Sequence, residues 1–211
     1  MCLRFLTIKP ASIPQSSQTS LVAQHQAGHL EALFEQCFFD SYNTRLCGGG
    51  EEPVYLPAEL SGEAHRLIYR EDFFASALHE IAHWCIAGAQ RRTQTDFGYW
   101  YAPDGRDAGQ QRAFEQAEIK PQALEWIFSE AAGLRFQVSV DNLNGPSEDG
   151  QSALESFRVA VWQQVWEYCE QGLPERAGVF AQALERTFGI AGVLDVTRYS
   201  LDETTEVSSS V

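Results

Sequence analysis

Residues 73–90 read FFASALHEIAHWCIAGAQ, and the His79-Glu80-Ile81-Ala82-His83 run inside them decides how the rest of the chain is read. The spacing predicts a helix over about 73–90, opened by Asp72 as N-cap and closing near Gly88. At 3.6 residues per turn, His79 and His83 lie about 40° apart on one face, one turn along. Two imidazoles so placed can converge on one metal ion, while Glu80, about 100° around from His79, stays beside the site. Leu78, Ile81 and Cys85 occupy the opposite side, so that side can bury against a core. Cys85 is then an inert core thiol. The competing reading is a pair of histidines satisfied by core hydrogen bonds. In a chain with five histidines the motif arises by chance on the order of once in a hundred such sequences, which favours the metal.

Working outward, 211 residues suit one domain with tails better than two domains. We expect tails over 1–20 and 201–211 and one metal-binding catalytic domain over 21–200, with no internal repeat. Hydrophobic residues at 44% and aromatics at 12% supply a packed core and exclude wholesale disorder. A net charge of −14 argues against nucleic-acid partners and favours a cationic substrate group. The five cysteines form no CxxC pair, so neither a disulfide framework nor a cysteine zinc site is expected, and a reducing compartment is the simpler reading. No apolar run is long enough for a membrane span, and the start, MCLRFLTIKPASIPQSSQ, does not match a signal peptide. The expectation is a cytoplasmic protein with no membrane partner.

The remaining patterns give a helix-rich α+β domain with a small sheet around a zincin-like metal helix. Leu30, Leu33, Phe34, Cys37 and Phe38 mark a first helix over about 21–39. Cys47-Gly48-Gly49-Gly50 reads as a loop without a phosphate-loop lysine, Val54–Leu56 as a short extended piece, and 65–70 as a weakly alternating strand. Phe97 to Tyr101 reads as a strand before an Asp-Gly turn. A helix beginning near Gln110 is expected to break or restart at Pro121 and to run to Gly133. Phe136 to Val140 reads as a short strand, and helices follow over about 152–171 and 174–188. Trp162 and Trp166 are expected in the core, and Arg91-Arg92 as a charge pair at the metal helix's C-terminal end.

Two histidines need a third ligand. His25, His29 and His65 lie upstream, and no HExxHxxGxxH extension is present, so a downstream carboxylate is the better choice. Asp96, Asp104, Asp107, Glu115, Glu118 and Glu125 are the candidates. Glu118 is favoured because it sits among apolar residues, where a carboxylate needs a partner or a cation; Glu115, three residues earlier, is a candidate neighbour on the same face. Spacing alone leaves the metal open. Zinc with Glu80 as general base makes a peptidase, and Fe(II) on the same three ligands makes an O₂-using oxygenase. Tyr99, Tyr101, Asp104, Arg106 and Asp107 could form an aromatic and acidic wall for an ammonium group, or simply a strand and turn.

HEIAHWCIAG, DFGYWYAPDGRD and EIKPQALEW together resemble the bacterial elongation factor P hydroxylase family, over about residues 29–190. Members hydroxylate elongation factor P on the lysine already extended with β-lysine, and depend on a metal held in an HExxH fold unlike the usual 2-oxoglutarate hydroxylases. The resemblance implies a metal-dependent hydroxylase with His79, His83 and Glu118 as ligands and elongation factor P as protein substrate. On this reading the metal is Fe(II), with Zn as the alternative, and O₂ is the co-substrate. Glu80 is kept as the catalytic residue, steering the cationic side chain together with Asp104 or Asp107.

Overall fold

The computed structural model describes residues 25–98, 108–139 and 148–201. The expected tails, Leu201 apart, and the Tyr99–Asp107 wall lie outside these residues. The His65–Arg70 strand (β3) alternates as its sequence demands, with Leu67 and Tyr69 buried and Arg66 and Arg70 exposed. It is the centre of a three-stranded mixed sheet. Thr44–Gly50 (β1) pairs with it in parallel, and Val54–Leu56 (β2) pairs antiparallel on the other side. Helix α1 (Ala27–Tyr42) precedes the sheet and buries Leu30, Leu33, Phe34 and Phe38 on one face.

A two-residue turn leads from β3 into the motif helix α2 (Phe74–Ile86), which packs against β3, α1 and two later helices, α3 (Ala108–Ala132) and α5 (Glu175–Phe188). Helix α4 (Glu148–Gln171) packs on the far side of α3. Leu78 and Ile81 are fully buried behind the histidines, where each apolar side chain contributes roughly 1.5–3 kcal/mol. Cys85 is buried as expected. Residues 121–129 of α3 are all buried, making it the central helix of this helix-rich α+β fold.

Several local expectations are corrected. The glycine stretch is strand β1, not a loop. Gly48 and Gly50 have no room for a side chain: a Cβ on Gly48 would lie 2.7 Å from Tyr69 Oη, and one on Gly50 2.7 Å from Ile68 Cγ2. Glycine here lets two backbones approach closely. The resulting gap admits a small network in which Gly48 N–H and Tyr69 Oη–H both donate to Glu31 Oε1 at 2.9 Å. Helix α2 has Phe73, not Asp72, at its N-cap, and no side chain caps it. Helix α3 runs through Pro121 without a break. A mid-helix proline costs about 3 kcal/mol in an isolated helix, and the burial of the whole 121–129 stretch outweighs it here. Residues 134–139 form no strand among the described residues, and Val140 lies outside them. Trp162 is partly buried and donates from Nε1 to Tyr199 O, whereas Trp166 is 39% exposed.

The C-terminal end of α2 is gripped from a distance. The Arg176 guanidinium, on α5, donates to the carbonyls of Trp84, Cys85 and Ala87 and lies over the Trp84 ring at 4.7 Å. Arg92 adds a bond to Ala87 O, while Arg91 pairs with Asp96. Only Arg92 therefore serves the helix end directly. Replacing Gly48 by Ala is expected to lower the unfolding free energy by about 1–3 kcal/mol in urea denaturation, because Tyr69 and the Glu71 carbonyl must retreat from the new methyl group.

Candidate metal centre

Helix α2 presents His79 and His83 one turn apart toward α3, and α3 presents Glu118 between them. Their Nε2 atoms are 3.1 Å apart. Glu118 Oε1 is 3.2 Å from His83 Nε2, and its Oε2 is 3.6 Å from His79 Nε2. Ligands about 2.1 Å from one ion are separated by about 3.0 Å across an octahedral face and about 3.4 Å in a tetrahedron. The observed triangle suits a single small divalent cation bound by two imidazoles and one carboxylate. Among the described residues this is the group of histidine, cysteine and acidic side chains placed to hold an ion.

The fourth partner is Glu125, two turns further along α3. Its Oε2 lies 2.8 Å from His79 Nδ1. A carboxylate only accepts, so Nδ1 carries the proton and Nε2 is left to face the ion. Burial works against an imidazolium at His79, but Glu125, Glu118 and Glu80 outweigh it and push its pKa up to about 10. Burial likewise opposes the charge on Glu118, yet His83, His79 and the Gln122 amide bring its pKa down to about 2. Glu80 is raised, chiefly by burial, with His79 and His83 pulling the other way. A metal ion bound at Nε2 displaces the proton that the acidic cluster holds there.

His79, His83 and Glu118 open onto a cavity of about 690 Å³. Glu80 lines it too, 8% exposed, together with Phe73, Phe97, Phe114 and the extended residues 134–139. Other candidates are placed elsewhere. Asp96 is bound by Arg91 and by the Gly98 N–H, and Glu115 accepts from Gln111 on its own helix. His25 bonds to Ala132 O, and His65 accepts from Ala58 N–H. Tyr99, Tyr101, Asp104, Arg106 and Asp107 lie outside the described residues.

Sequence reasoning counted Glu125 among possible ligands and missed its place behind His79; it missed Gln122 altogether. A signal for both was present. Glu118, Gln122, Glu125 and Ser129 recur at helical spacing and are all buried, a polar stripe inside an otherwise apolar segment.

Two histidines of an HExxH helix and one carboxylate that could hold a metal ion, with a second carboxylate bonded to one imidazole, are a pattern that suits a metal-dependent enzyme. Residues 33–199 match the family described as elongation factor P hydroxylase. The chain is also 46% identical over 178 residues to the elongation factor P lysine hydroxylase of Haemophilus influenzae, covering 84% of this chain and 98% of that protein. The chain belongs to the elongation factor P hydroxylase family.

Glu125→Ala is expected to weaken metal binding about 10–100-fold in a chelator-competition titration, although no ligand is removed. Glu115→Gln is expected to leave the same titration unchanged.

Proposed function

We propose that this chain hydroxylates the β-lysyl-lysine side chain of elongation factor P, with His79, His83 and Glu118 holding Fe(II) and O₂ as co-substrate. The observation that carries the reading is the three-atom ligand face opening on a broad cavity, in a chain similar to a named elongation factor P lysine hydroxylase over nearly that protein's whole length. Zinc fits the same donors, and the oxidative chemistry of the family is what favours iron.

Bound there, Fe(II) supplies activation of O₂ for insertion into a C–H bond. The chain's own residues do the rest. Glu125 keeps the His79 ring turned so that Nε2 faces the ligand triangle, and the apolar backing of α2 holds both rings in register. Glu80 presents an acidic group to the cavity beside the ligands, suited to drawing in an ammonium. The net charge of −14 favours approach of a polycationic side chain. Among the described residues no helix is long and apolar enough to cross a membrane. A translation factor as substrate would be met in the cytoplasm.

The test is the intact mass of β-lysylated elongation factor P after aerobic incubation with iron-loaded protein and a reductant. A gain of one oxygen atom is expected, lost in His79→Ala and in the absence of O₂. A shortened chain with zinc alone, abolished by Glu80→Gln, would instead establish a peptidase. With the hydroxylase, Glu80→Gln is expected to raise KM for the cationic substrate while oxygen insertion persists.

A further inference from the structure

Residues 134–139 line the cavity along their whole length, and among the described residues no strand pairs with them. Their burial alternates as in a strand: Phe136 is buried, while Arg135, Gln137 and Ser139 are exposed. Among the described residues, contacts at both ends and the middle keep this wall in place. Leu134 N–H donates to Ser129 O at 2.8 Å at the end of α3. The Phe136 ring stacks on Trp126, centroids 5.2 Å apart. At the far end the Gln122 side chain does what a neighbouring strand would do. Its Nε2 donates to Ser139 O at 2.6 Å, and its Oε1 accepts from Ser139 N–H at 3.1 Å. That reciprocal pair is the exchange made by two facing residues of an antiparallel ladder.

Gln122 is 2% exposed and sits on α3 between Glu118 and Glu125, one turn from each. A buried amide is costly unless both its ends are bonded, and here Ser139 bonds both. The backbone N–H of Ser139 must find an acceptor, which fixes which end of the amide faces it. Gln122 thus ties the helix that carries Glu118 to the wall that lines the cavity.

We infer that Gln122 is a positioning residue that seats the 134–139 wall over the ligand triangle and so sets how tightly the lysyl side chain of the substrate is held. This rests on the hydroxylase reading for its substrate, but not for its geometry. The variants are Gln122→Leu, which removes both bonds, and Gln122→Glu, of equal size, whose carboxylate cannot donate to Ser139 O. Ser139→Pro removes the N–H from the other side and keeps the test open if a Gln122 variant fails to fold.

Three readouts are compared on the full chain: amide hydrogen exchange over 134–139, metal stoichiometry, and steady-state kinetics with β-lysylated elongation factor P. Exchange in the segment is expected to rise, stoichiometry to stay at that of the wild type, and KM to increase about tenfold with kcat little changed, the loss of two hydrogen bonds. Combining Gln122→Leu with Ser139→Pro should add little to either alone. Unchanged exchange, or faster exchange with KM unmoved, would overturn the inference, as would a fall in kcat that tracks lost metal. An inactive wild type would instead defeat the hydroxylase reading, and the exchange arm would still decide whether Gln122 holds the wall.

Discussion

The packing of α2 against α3 brings two imidazoles and three carboxylates into one buried volume, and everything else in the molecule has to accommodate that. Carboxylates crowded together out of water repel one another and lose hydration, so the arrangement stands only with compensating positive charge. His79 and His83 supply part of it. A divalent cation at their common focus would supply the rest. Seen this way, the pKa directions at His79, Glu118 and Glu80 are one property of one cluster: each group titrates against its neighbours.

The pairing also explains the division of labour along α3. Glu118 meets the ligand focus, Glu125 stands behind it, and Gln122 between them turns to the cavity wall. Alternating roles within three turns require a helix that does not bend away from α2. Continuity through Pro121 is therefore part of the site, since a break there would set Glu118 and Glu125 on separate segments with separate orientations.

Much of this was legible in the sequence where the signal is local. The two histidines, the apolar backing at Leu78 and Ile81, and Glu118 as an acidic residue in apolar surroundings follow from helical geometry and the cost of burying charge. The helices of the second half declare themselves by their apolar spacing. What was missed depends on contacts distant in the chain. Gly48 to Gly50 look like a loop until Tyr69 and Ile68 are seen to need the space. Pro121 looks like a breaker until the burial around it is known. Phe136 to Ser139 have a strand's alternation, but the partner turned out to be a side chain, which no pairing rule anticipates. Glu125 could be named as a candidate but not placed, because first and outer positions around an ion differ by the direction of one imidazole nitrogen.

The grip of Arg176 on the last carbonyls of α2 ties the histidine-bearing helix to a residue some ninety positions further along the chain. Until α5 docks, the negative end of the α2 dipole has only the Arg92 bond to Ala87 O, and the carbonyls of Trp84 and Cys85 lack the guanidinium that holds them. During synthesis, then, the motif emerges from the ribosome long before the element that secures it. The Arg176 contacts can form only once α5 has been made, so the carbonyls at the end of the histidine-bearing helix meet this guanidinium some ninety residues after they leave the ribosome.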